Sequence, residues 1–231
     1  MKIISYIHKN STIRLQCTES VYVSPYSQFL RKSMPGDLCE KTICDFGAGT
    51  GIVGIAGVLN GSTDVVFLED FDEYLEICQS NVHTNLSSTS DLSVFVGKTC
   101  PVEKRFDYIF CNPASLPSYV GNDPFFDGGE HGLDMINEAM CFSRRHLKRD
   151  GRLYLLITSI LPLNMVKNNI TSHGFEYEVA GKTRIPFRHH YQGIAEWVNK
   201  NNAATGYEGG YYIKRPQGYY EEVQLFIMVK S

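Results

Sequence analysis

The chain has 231 residues, of which 43% are hydrophobic and 20% charged, with a formal net charge of −3. That size suits one α/β domain with additions rather than two full domains, and the composition is rich enough for a buried core. The mildly acidic balance argues against a dominant nucleic-acid role, for which a basic face is expected. The seven cysteines are scattered and form no C-x-x-C pair. Cys44, Cys78 and Cys111 lie in apolar runs, as the reduced core thiols of a cytoplasmic protein do. No apolar run approaches membrane-spanning length, and Met1–Ile4 is too short for a signal-peptide core, so a soluble, cytoplasmic protein is expected.

In chain order, residues 2–7 and 12–17 flank "HKNS" as an N-terminal hairpin. "VYVSPYSQFLRKSM" follows as a strand end, a proline turn and a short amphipathic helix. Alternation then sets in: strand 42–46, helix 51–59, strand 64–69, helix 72–84, and strands 92–96 and 106–111. A helix at 133–147, a strand at 152–158, a helix at 162–173 and strands at 175–180 and 222–229 complete the pattern. Such alternation predicts a mostly parallel, Rossmann-like sheet with helices on both faces. The expected organisation is a single domain: lead-in 1–36, cofactor-binding core 37–180, an insertion at 181–221 and the last strand at 222–231. The insertion has no visible period and is rich in His, Tyr, Gly and Asn, which favours a functional segment over an idle one.

Two places carry chemistry. "TICDFGAGTGIVGIAG" sets Gly47, Gly49 and Gly51 between a strand and a helix, where glycine permits a tight turn and close approach of a ligand to backbone. The same letters fit a dinucleotide fingerprint, so an NAD-dependent oxidoreductase is one alternative. Asp45, at the strand end, would repel a pyrophosphate and favour a cationic cofactor. Glu69, twenty residues after Gly49, stands where a carboxylate can accept ribose hydroxyls. The second place is "FDYIFCNPASLPS", a short buried strand stopped by Pro113, which has no N–H for the ladder. Asn112 is thereby held extended at the strand end, where its amide either caps a turn or grips a ligand.

Asp45-Phe-Gly47-Ala48-Gly49-Thr-Gly51, then "FLEDFDEYLEICQSN", then Asn112-Pro113 resembles the class I S-adenosylmethionine-dependent methyltransferases. Within them it resembles the amino-methylating branch that bears Asn-Pro-Pro-Tyr, which includes the release-factor glutamine methyltransferases. "VYVSPYSQFL" and "DGGEHGLDMI" resemble that branch's segments before the first core strand and after the catalytic loop. The resemblance implies that Asp45, Gly47, Ala48, Gly49, Gly51, Glu69, Asp70, Lys98 and Asn112 line the site of S-adenosylmethionine, with S-adenosylhomocysteine as product. It implies that Asn112 and the Pro113 carbonyl accept hydrogen bonds from the target nitrogen. Such positioning contributes about 7–11 kcal/mol when reacting atoms are held in line, and the acceptors stabilise positive charge developing on nitrogen.

The sequence departs from the branch at Ala114 and Ser115, where the branch has a second proline and an aromatic residue. With the acidic balance and the long 181–221 segment, this favours a small-molecule or amino-acid-like amine as acceptor, a protein glutamine second and an RNA base third. Ser115, His189, His190, Tyr191 and Trp197 are the candidate substrate contacts. His189 and His190 serve equally well as exposed loop residues, and Trp197 as a packing anchor. No metal spacing is present. A non-catalytic cofactor-binding scaffold for a partner subunit is the alternative of another class. The basic "SRRHLKRD" (143–150) reads as a solvated helix end, since Lys and Arg favour helix C-termini.

Overall fold

A computed structural model describes residues 1–117, 126–187, 193–205 and 210–231, with the side chains of 201–205 excepted. Contacts group the chain into two units: Met1–Asn112 with His146–Tyr154, and Pro113–Arg145 with Leu155–Ser231.

In the first unit, β1 (Lys2–His8) and β2 (Ser11–Cys17) form the expected antiparallel hairpin. Ile13, Leu15 and Cys17 alternate inward along β2, the period-2 pattern of a half-buried strand. The outer edge of β2 is closed by two asparagines one turn apart on α3 (Asp72–Leu86). Asn81 exchanges hydrogen bonds with the backbone of Gln16 (2.6 and 3.1 Å), and Asn85 with that of Arg14 (2.9 and 2.7 Å). Helix α1 (Pro25–Ser33) starts where Pro25 presets the first-turn φ and the Ser24 side chain accepts the Ser27 N–H.

The sheet of this unit is built on β3 (Thr42–Phe46), β4 (Asp64–Leu68), β5 (Ser93–Gly97) and β6 (Phe106–Cys111). They lie in the order β5-β4-β3-β6, all parallel, with β7 (Leu147–Thr158) next to β6. Because β4 and β5 lie on one side of β3 and β6 on the other, the strand order reverses between β3 and β6. Helix α2 (Ile52–Leu59) packs close on β3 and β4: a Cβ built on Gly54 would lie 2.2 Å from Phe67.

The second unit contains α4 (Asp134–His146, to Arg145), the end of β7, α5 (Leu163–Ser172), β8 (Phe175–Pro186), α6 (Ile194–Thr205), β9 (Ile213–Arg215) and β10 (Gly218–Lys230). β10 follows β7 in the strand order and pairs antiparallel with β8, from Tyr220↔Pro186 to Lys230↔Phe175, with β9 on its other partner segment. A central, mostly parallel sheet flanked by helices is thus the fold class, as the alternation predicted. Among the described residues no helix is long and apolar enough to cross a membrane.

Two expectations are corrected. β7 begins at Leu147 directly after α4, not at 152, so "SRRHLKRD" divides between a helix end and a strand start; Lys148 reaches Asp107 at 2.6 Å. Among the described residues, the 181–221 tract contains the end of β8, α6, β9 and the first residues of β10. β8 includes the strand expected at 175–180 and runs on to Pro186 with most of its residues exposed, its pairing with β10 carrying the continuation.

Candidate cofactor and acceptor site

Strand register assembles the site. Phe46 pairs with Leu68 on one side and Cys111 on the other, and Leu68 pairs with Gly97. The next residue on each strand is therefore Lys98, Glu69, Gly47 and Asn112, a row across the C-terminal ends of four adjacent parallel strands. At about 4.8 Å per strand the row spans roughly 14 Å. Open α/β sheets bind ligands at these ends, at the point where strand order reverses, which here separates the glycine turn from Asn112.

The turn is left-handed at Gly47, Gly49 and Gly51, with φ of 71°, 54° and 76°. That region disfavours any side chain, and a Cβ at Gly49 would meet no atom within 4 Å, so the backbone there is open to a ligand. The Gly47 and Ala48 amides donate to Leu68 O at 3.0 and 2.9 Å, tying the turn to β4. Glu69 is 6% exposed. Its carboxylate accepts from Gly49 N at 2.8 Å, Asp70 N at 3.0 Å and Phe71 N at 3.3 Å. Burial raises its pKa, while those three amides pull it down. Asp70 itself is exposed.

Asp45, the carboxylate that the sequence offers to a cationic cofactor, is buried, and its Oδ2 accepts the Gly54 amide at 2.8 Å. Helix α2 has Gly51 at its N-cap and so no side chain of its own to cap it. Asp45 takes that place from the strand below, where the helix dipole favours an oxygen. Burial pushes its carboxyl up to about 7, opposed by the Gly54 amide and aided by the charge of Glu69. The Lys98 ammonium pairs with Asp72 at 2.7 Å, on an exposed surface.

Asn112 is half-buried, and its Nδ2 donates to Ser27 Oγ at 3.3 Å. Ser27 was not foreseen; the Ser-Pro-x-Ser pattern that starts α1 announces a helix cap, but nothing in the letters links it to Asn112. In the second unit Pro113 is buried and Ser115 half-buried, and Trp197 on α6 is 8% exposed, the packing anchor of its alternative reading. His189, His190 and Tyr191 lie outside the described residues. Among the described residues no group of His, Cys, Asp and Glu has the arrangement of a metal site.

A profile of the methyltransferase small domain family matches residues 22–183, more than half of the chain. The chain is 24% identical over 181 residues to a Methanocaldococcus jannaschii protein named as a candidate protein N5-glutamine methyltransferase, covering 76% of this chain and 91% of that one. It is 24% identical over 127 residues to ribosomal RNA small subunit methyltransferase C of Actinobacillus pleuropneumoniae, covering 54% of this chain and 35% of that one. Among solved structures it resembles the Encephalitozoon cuniculi Mtq2–Trm112 complex, described as responsible for methylation of the eRF1 translation termination factor. The TM-score is 0.55 at 16% identity, over 92% of this chain and 99% of that one. The chain therefore belongs to the methyltransferase small domain family, and S-adenosylmethionine is its methyl donor.

Proposed function

We propose that this chain methylates the side-chain amide nitrogen of a glutamine in a protein. The observation that carries this reading is the row of strand ends, in which Asn112 stands beside the glycine turn across the reversal of strand order. Glu69 and the turn account for one end of a nucleoside–amino acid cofactor, and Asn112 for the group that receives the methyl. S-adenosylmethionine supplies, when bound, a sulfonium methyl: the carbon–sulfur bond breaks, a nitrogen–carbon bond forms, and the nitrogen's proton passes to solvent. The chain's own part is positioning. Asn112 Oδ1 and the Pro113 carbonyl accept the N–H groups of a planar amide and aim its nitrogen. Pro113 keeps its own position free of the ladder, since it offers no N–H.

The sequence favoured a small amine and ranked nucleic acid low. The relatives named above act, by their names, on a protein glutamine and on ribosomal RNA, so we place the acceptor among macromolecules and leave nucleic acid no less favoured than protein in the test. An RNA base nitrogen is the second reading, supported by the ribosomal RNA relative.

The test is tritiated S-adenosylmethionine with a synthetic glutamine peptide, total cellular protein and total RNA as separate acceptors, followed by mass spectrometry of the labelled product. Methylglutamine is expected. Label found in RNA alone would replace the first reading by the second. Asn112→Ala should keep S-adenosylhomocysteine affinity within about threefold while turnover falls by about a hundredfold, the cost of lost alignment. Turnover at the wild-type rate in that variant would remove Asn112 from the reaction.

A further inference from the structure

The amide of Asn112 is held from behind by the start of α1. Its Nδ2 donates to Ser27 Oγ at 3.3 Å, although the two residues are 85 apart in the chain. Ser27 is also tied to the helix cap: its N–H donates to Ser24 Oγ at 3.1 Å, and the two hydroxyls are 3.0 Å apart. A serine hydroxyl has one proton to give and two lone pairs to receive. Either hydroxyl of that pair can be the donor; in the arrangement in which Ser27 gives its proton, Ser24 Oγ is its partner. Ser24 Oγ then receives both the amide and the hydroxyl proton of Ser27, at a helix N-terminus where an accepting oxygen is favoured. In that arrangement the donors run one way, from the Asn112 amide to the helix cap.

An asparagine amide can turn by half a revolution and exchange its accepting and donating halves. With the Ser27 proton engaged by Ser24, a turned Asn112 would set its oxygen against the Ser27 oxygen. We propose that Ser27 is a positioning residue: it takes the NH2 half of the Asn112 amide and so leaves the Oδ1 half for the N–H of the acceptor. This rests on the reading of Asn112 as the residue that receives the acceptor nitrogen. A donor in that place would face the NH2 of a glutamine amide with like polarity and turn it away. Ser27 touches neither acceptor nor cofactor in this account and acts only through Asn112.

The experiment has two arms. In the first, protein labelled with 15N-asparagine is saturated with S-adenosylhomocysteine, and the Asn112 side-chain amide pair is assigned by its disappearance in Asn112→Asp. Ser27→Ala should shift that pair and speed its proton exchange by about fivefold, as expected for loss of one ordinary hydrogen bond. Ser27→Thr, which keeps the hydroxyl, should leave both unchanged. In the second arm, with a synthetic glutamine peptide as acceptor, Ser27→Ala should lower kcat by about tenfold or more. S-adenosylhomocysteine affinity should stay within about twofold, and Ser27→Thr should restore kcat. An Asn112 pair unmoved by Ser27→Ala overturns the proposal, as does a wild-type kcat in that variant. If the wild-type protein leaves the peptide unmethylated while the Asn112 pair still shifts, the glutamine reading fails and the hold of Ser27 on Asn112 stands.

Discussion

Glu69 Oε2 accepts the Gly49 amide proton at 2.8 Å, joining the end of β4 to the turn after β3 across twenty residues of chain. The same carboxylate takes the amides of Asp70 and Phe71 on Oε1, so three backbone donors depend on one side chain. Glu69→Ala leaves those donors without it and frees the glycine turn, which we propose faces the cofactor. S-adenosylhomocysteine should bind more weakly by about 1–3 kcal/mol, the cost of unmet buried polar groups. Glu69→Gln should lose nearly as much, because it keeps one acceptor and turns an NH2 toward donors. Isothermal calorimetry reads both, and affinity equal to wild type would show that the clamp has no bearing on the cofactor.

Asp45 makes stability depend on pH in the direction opposite to a salt-bridged aspartate. Burial raises its pKa from 3.8 to about 7. Between these values the folded protein holds a proton that the unfolded chain has released. The stabilisation is complete below the unfolded value and is lost as pH rises through about 7. Glu69, also raised, adds in the same sense, while burial keeps the neighbouring Cys44 and Cys78 thiols neutral through this range. Urea denaturation at steps from about pH 5 to pH 8 should show the unfolding free energy falling. Asp45→Asn should flatten the decline, since a neutral amide oxygen still receives the Gly54 N–H.

Gly54 is required by packing rather than by a ligand. A Cβ there would lie 2.2 Å from Phe67 Cε1 and 2.7 Å from its Cζ, so α2 would have to lift from β4. Gly54→Ala should cost about 1–3 kcal/mol, the usual range for overpacking a filled core. Gly36→Ala, where no atom lies within 4 Å of the added carbon, is the matched control and should change little. Equal stability of the two variants would contradict the close approach.

Trp197 is 8% exposed on α6. Trp197→Ala should lower the unfolding free energy by about 3–5 kcal/mol through loss of buried area and the cavity left behind. A variant of wild-type stability with impaired turnover would instead restore the expected contact with the acceptor.

The alternation of short apolar runs with longer periodic segments determined the α/β class by itself, because strand and helix periods are local properties of the chain. The three glycines were legible for the same reason: their left-handed φ values are a demand of the local backbone. So was the stop at Pro113. What a side chain faces was not local. Asp45 looks in the sequence like a carboxylate offered to a cation, and only the packing of α2 over β3 turns it to the Gly54 amide and buries it. The Lys98 ammonium pairs with Asp72 at the start of α3, a contact that the sequence did not show. Of β8 the sequence showed only the strand at 175–180; its continuation to Pro186 was hidden because a mostly exposed strand carries no hydrophobic period, and its partner β10 lies dozens of residues further on. Ser27 and Asn112 meet across 85 residues through one hydrogen bond, a relation that no spacing encodes and that exists only once β6 and α1 are folded together.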